Sequence, residues 1–166
     1  MLDHKLLGIY LNDHLAGSTV GLELVKRAAK ENVGTPYAEP LGLVAKEIEE
    51  DREALKGLMD ALEVKPDHPK VMAGWVAEKL GRLKPNGQIL GYSPLSRLVE
   101  LESLSLGITG KLSLWEALTE VHAEDPRIDL EELKRLAERA DQQRAEVWEL
   151  RQRAAREAFA AQVPVP

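Results

Sequence analysis

The chain of 166 residues contains no cysteine, a single phenylalanine and no long uninterrupted apolar run. The lack of cysteine excludes disulfide bonds, thiolate metal sites and cysteine nucleophiles. No segment approaches the roughly 18 apolar residues of a membrane helix, so we predict no membrane span. Charged residues such as Asp3, Lys5 and Asp13 interrupt the apolar N-terminal stretch, which we interpret as structural rather than as a signal peptide. These features favour a cytoplasmic protein.

The charge balance is acidic, with 28 acidic against 22 basic residues and a net charge of −6. Such a balance gives no electrostatic attraction for polyanions, so we expect neither nucleic acid nor an anionic membrane as a partner. A chain of this length is typical of one domain, which buries roughly two thirds of its unfolded surface. We therefore predict a single domain over residues 1–166.

Apolar residues recur at helical spacing along most of the chain, and no segment alternates convincingly as a strand would. Ser93 followed by Pro94 predicts one helix start, and Asp129 with Glu132 three positions later predicts another. Gly34, after Asn32, is a plausible stop for the first helix. The predicted fold class is all-α, with long helices over 6–32, 40–63, 94–121 and 129–160 and a short helix over 70–83.

Glycines lie on the expected buried faces of two helices. Gly17 and Gly21 belong to a stripe of the first helix, and Gly107 and Gly110 repeat the signal in the third. Each should cost about 1 kcal/mol of helix propensity relative to alanine. Their presence predicts that a neighbouring backbone or aromatic ring packs very close to these positions.

Acidic residues also lie on faces that should be buried. Glu47, Glu50 and Asp51 occupy positions i, i+3 and i+4 and so meet on one side of the second helix, where they repel unless a cation or protons separate them. The short turn between the first two helices would bring Glu23 level with them. Glu102 lies at the edge of the third helix's apolar stripe, whereas Glu100 is predicted to point further away.

Two interpretations of these acids remain open. In one, carboxylates and a histidine bind iron, manganese or zinc, and the candidate ligands are His14, Glu23, Glu47, Glu50, Asp51 and Glu102. In the other, basic side chains neutralise the acids, since buried carboxylates are usually paired, and the candidate partners are Arg52, Arg97, Lys111 and Arg144. We favour the second interpretation, and we likewise expect His14 to be hydrogen-bonded in the core.

The predicted order of elements is two helix pairs joined by roughly 30 residues. With the acidic run Glu47–Asp51 and with Glu102 in the third helix, this arrangement resembles the ferritin-like four-helix bundle. It is also similar to uncharacterised bacterial ferritin-like proteins. The resemblance covers nearly the whole chain and implies an antiparallel bundle with a long crossover that contains the short extra helix.

The ligand pattern departs from the di-iron members of that fold, which use Glu-x-x-His on two of their helices. No Glu-x-x-His occurs in this chain, and no serine or threonine has a readable base beside it. We therefore predict a noncatalytic structural or interaction protein that self-associates as a dimer, with a metal-binding bundle as the alternative. Trp75, Trp115 and Trp148 are predicted to be packing anchors.

Overall fold

The computed structural model describes residues 2–66 and 92–160, and throughout these ranges the regular structure is helical. The elements are α1 (His4–Glu31), α2 (Ala38–Ala61), α3 (Pro94–Val121), a 3₁₀ turn (His122–Glu124) and α4 (Leu130–Phe159). The predicted all-α class with four long helices is confirmed for the described part of the chain. The short helix predicted over 70–83, and with it Trp75, lies outside the described residues.

Side-chain caps fix where three of the helices begin. Asp3, Ser93 and Asp129 each accept backbone N–H groups of the first turn of α1, α3 and α4. The predicted starts at Ser93 and Asp129 are thus confirmed, while α1 begins before the predicted residue 6 because Asp3 caps it. After α1, Gly34 takes a φ of +81°, a conformation that glycine adopts at little cost.

The core consists of two apolar clusters separated by a polar layer. One cluster includes Ile48 of α2 and Ile108 of α3, and the other includes Leu55 and Leu114 of the same helices. Asp51 follows Ile48 by one helical turn and precedes Leu55 by another, so it lies between the clusters. The buried residue Gln143 occupies the corresponding level of α4.

The two tryptophans of the described ranges have different environments. Trp115 is 1% exposed and packs in the core, as predicted. Trp148 on α4 is 47% exposed, so its prediction as a packing anchor was wrong. None of the helices in residues 2–66 and 92–160 has the length and apolar character required to cross a bilayer.

The turn between α3 and α4 is organised by Asp125. Its carboxylate accepts hydrogen bonds from Arg127, including Nε at 2.9 Å and Nη2 at 2.6 Å. The backbone N–H of Arg127 donates to the same carboxylate at 3.0 Å. These bonds stabilise the ionised form and lower the pKa of Asp125 to about 2.

The lowered pKa of Asp125 predicts an acid-sensitive contribution to stability. An unfolded aspartate has a pKa of about 3.9, so the folded form gains stability above that pH and loses it as the pH falls towards about 2. Asp125→Asn should reduce this loss when the free energy of unfolding is measured by urea titration from pH 5 to pH 2. The exposed Asp60→Asn is the control, and an Asp125→Asn profile parallel to wild type would contradict the prediction.

Candidate functional site

The most buried acid of the chain's described part is Asp51 on α2, which is 1% exposed. Two cations contact its carboxylate, Lys111 from α3 and Arg139 from α4. Arg139 Nε donates to Oδ1 at 2.7 Å, and the amide of Gln143 donates to Oδ2 at 3.2 Å. Three helices therefore meet at a single carboxylate.

The two neighbouring acids of α2 are held by the same residues of α4. Gln143 Nε2 donates to Glu47 Oε2 at 3.0 Å, and Arg139 Nη1 donates to Glu50 Oε2 at 2.9 Å. Gln143 also accepts from the ammonium of Lys111 through its amide oxygen. The acids that meet on α2 are thus separated by positive charge and amide dipoles, as the ion-pair interpretation expects.

Lys111 is among the partners predicted for the acids, whereas Arg139 and Gln143 are not. The available signal was their spacing of four on α4, which places both side chains on one helix face. Gln143 also belongs to the buried face of α4. A polar residue there indicates that a polar group on a facing helix needs a partner.

Burial changes the protonation chemistry of Lys111. Desolvation lowers the pKa of its ammonium, while the charge and the hydrogen bond of Asp51 act in the opposite direction. Its side chain is 14% exposed. Removing Asp51 would take the carboxylate partner from the buried ammonium of Lys111, whereas removing Lys111 would leave Asp51 with Arg139 as its cation.

The other predicted site residues lie apart from these contacts. Glu23 and Glu102 are exposed to solvent. His14 is half-buried with its ring edge-on to Tyr10, at a centroid separation of 4.6 Å, and burial lowers its pKa. Within residues 2–66 and 92–160, no three histidine, aspartate or glutamate side chains are grouped so that they could hold a metal ion.

The prediction that Glu100 points away from the core was wrong. It is 5% exposed, whereas Glu102 is on the surface. Arg27 Nη2 of α1 lies 2.7 Å from its Oε1, and the hydroxyl of Tyr92 donates to its Oε2 at 2.8 Å. A single apolar stripe underestimates the buried face of α3, because this helix packs against α1 as well as α4.

A cavity of about 280 Å³ lies between α1, α2 and α3, and Asp51 and Lys111 are among the residues that line it. Its walls include Gly17 and Gly21 of α1 and Gly107 and Gly110 of α3. A Cβ atom added at any of these four glycines would meet no atom within 4 Å. The prediction of close packing at the glycines was therefore wrong, since these positions border empty space.

The buried charges of Asp51, Lys111 and Arg139 predict that removing one charge costs more stability than replacing an oppositely charged pair with apolar side chains. Asp51→Ala should destabilise the fold by about 3 kcal/mol because Lys111 and Arg139 lose their buried counter-charge. The double variant Asp51→Leu, Lys111→Met should recover much of that loss in urea unfolding, because it leaves less uncompensated charge.

The matched control is the exposed pair of Lys26 and Glu49, which joins α1 to α2 at 2.9 Å. Glu49→Ala should cost less than about 1 kcal/mol, the usual value for a solvent-screened ion pair. Equal losses for Asp51→Ala and Glu49→Ala would contradict the structural role assigned to Asp51.

Comparison with known proteins adds no family to this geometry. No protein-family model, curated protein or solved structure matches the chain.

Proposed function

We propose that the protein is a noncatalytic ferritin-like bundle of the bacterial cytoplasm that acts as a structural or interaction protein. The observation that carries this proposal is the internal neutralisation of Asp51 by Lys111, Arg139 and Gln143. A carboxylate that already accepts bonds from two cations and an amide has little capacity left for a metal ion. The contacts of Asp51 connect α2 to α3 and to α4.

Contacts between α1 and α2 support an antiparallel pair. Lys26, near the end of α1, bonds Glu49 in α2, and Asn12, earlier in α1, donates to the carbonyl of Lys65 beyond α2. The residue numbers of the contacting partners therefore increase along one helix as they decrease along the other. This is the relation expected for neighbours joined by a short connection.

Contacts between α1 and α3 support the crossover. Arg27 forms an ion pair with Glu100, and Asn32, five residues later, accepts a hydrogen bond from Arg97. The residue numbers of the partners again run in opposite directions, which supports an arrangement with α3 antiparallel to α1 and parallel to α2. A parallel α2 and α3 require a long connection, which agrees with the ferritin-like order of helices.

The alternative function is metal binding by the acids of α2 with iron, manganese or zinc. It is favoured by one specific observation, that His14 and Asp51 border the same cavity. Burial lowers the pKa of His14 and so favours the neutral imidazole, the form that binds metals. A metal there would have to displace Lys111 or Arg139 from Asp51.

Metal analysis distinguishes the two functions. Protein purified without a histidine tag should contain no stoichiometric iron, manganese or zinc, and added iron should leave its melting temperature unchanged, because its own cations occupy the acids. Stoichiometric metal by elemental analysis, lost in the Glu47→Ala, Glu50→Ala double variant and retained in Glu23→Ala, Glu102→Ala, would establish the alternative instead.

We also propose self-association through the outer face of α3 and α4. A surface groove there is lined by Thr109, Arg144 and Trp148 among others. Trp148 is 47% exposed and Leu106, on α3, is 76% exposed. Exposed aromatic residues beside arginine are typical of protein interfaces, where they contribute much of the binding energy.

This surface predicts a dimer that depends on Trp148. Sedimentation equilibrium at micromolar concentration should give the mass of a dimer. Trp148→Glu should weaken association by at least about tenfold, because it places a charge in an apolar contact. Leu43→Glu is the matched control, since Leu43 is a 61% exposed residue of α2. A monomer across the micromolar range would contradict the prediction.

A further inference from the structure

The cavity between α1, α2 and α3 combines apolar walls with a few polar groups. Leu55 of α2 and Leu104, Ile108 and Leu114 of α3 supply much of its apolar surface. An engineered apolar cavity of about 150 Å³ accommodates benzene. A volume of about 280 Å³ therefore suits a ligand of about ten non-hydrogen atoms.

Two N–H groups at the cavity have no acceptor in the described part of the chain. Trp115 borders the cavity and is 1% exposed, and its indole Nε1 is shielded from solvent without a hydrogen-bond partner. Arg52 also borders the cavity, and its Nε is likewise shielded and unpartnered. A buried donor without an acceptor is costly, and a ligand oxygen would remove that cost.

Three other polar groups of the cavity are already engaged. The hydroxyls of Ser18 and Ser103 donate to carbonyls of their own helices, Leu15 O at 2.7 Å and Val99 O at 2.9 Å. Asp51 is held by its cations. These three groups are therefore committed to other contacts, whereas the shielded N–H groups of Trp115 and Arg52 have no acceptor among the described residues.

Charge argues for an uncharged ligand. Lys111 compensates Asp51 beside the cavity, so its ammonium is not a free counter-ion for an anion. Asp13, an exposed residue, also lines the cavity and would repel one. Burying a charge without a partner is unfavourable, whereas a neutral carbonyl needs only an N–H donor.

We propose that this cavity is a binding site for a small neutral, mainly apolar molecule that carries one carbonyl oxygen. The apolar part fills the space beside the four glycines, and the oxygen accepts hydrogen bonds from the indole N–H of Trp115 and from Arg52. Gly17 and Gly21 on one side, and Gly107 and Gly110 on the other, provide the room that any larger side chain would occupy.

Acetophenone is the probe for this site, and α-methylstyrene is its matched control, in which a methylene group replaces the carbonyl oxygen. Full-length protein labelled with ¹⁵N gives one indole N–H signal for each tryptophan, and Trp115→Phe assigns that of Trp115. Acetophenone should shift this signal downfield and saturate at a concentration on the order of 1 mM. α-Methylstyrene should bind about three- to tenfold more weakly, since it leaves the donors unpaired.

Variants locate the site. Gly21→Leu should abolish acetophenone binding by filling the cavity, and Gly57→Leu, at an exposed glycine of α2 outside the cavity, should leave it unchanged. If Gly21→Leu fails to fold, Gly110→Leu fills the same cavity from α3. Trp115→Phe, followed by calorimetry, should weaken binding of the ketone more than that of α-methylstyrene, because only the ketone loses a hydrogen bond.

Three results would overturn the proposal. The first is the absence of a saturable shift of the Trp115 signal. The second is undiminished binding in a folded Gly21→Leu or Gly110→Leu variant, which would place the ketone elsewhere. The third is equal affinity of wild type for acetophenone and α-methylstyrene, which would show that the buried donors do not recognise the oxygen.

Discussion

The buried carboxylate of Asp51 constrains how three of the four helices pack. An ionised aspartate that is 1% exposed requires compensation, and Lys111 and Arg139 provide it from α3 and α4. The bond geometry fixes the register of these helices more narrowly than apolar contacts do, because hydrogen bonds depend on distance and direction. Gln143 contacts both charges, because its amide oxygen accepts from the ammonium of Lys111 and its amide nitrogen donates to the carboxylate of Asp51.

This polar layer also shapes the space around it. The apolar clusters on either side are packed by leucine and isoleucine side chains, whereas the interval between α1 and α3 is lined by glycines. Glycines permit close approach, but they also leave a void when the backbones remain apart. Here the second case applies, and the void lies against Trp115, whose N–H has no partner in the described part of the chain.

A second network holds one end of the bundle. Glu100 is contacted by Arg27 of α1 and by Tyr92, which lies two residues before α3. Asn32, which caps α1, donates to the hydroxyl of Tyr92, and burial raises the pKa of that hydroxyl. The carboxylates of Asp51 and Glu100 thus follow one principle, since each is buried with partners from its own chain.

The helices could be predicted because their signals are local. Apolar spacing and the capping residues Ser93 and Asp129 act within a few neighbouring residues, so the four long helices and most of their boundaries follow from the sequence. The same periodicity correctly placed Asp51 on a buried face. Lys111 was one of four basic residues named as candidate partners of the acids, and it is the one of the four that contacts Asp51.

The partners of the acids and the role of the glycines depended on tertiary structure. Arg139 is 88 residues from Asp51 in sequence, and no local pattern specifies which facing helix will supply a cation. Glu100 became buried, and Glu102 exposed, through the packing of α1 on α3. The glycines border a cavity because helix separation is set by all the side chains between the helices. The sequence by itself determined that the four long segments are helices and that Asp51 is buried, whereas the tertiary structure decided which other acids are buried and what each buried group contacts, since these contacts join residues distant in the chain.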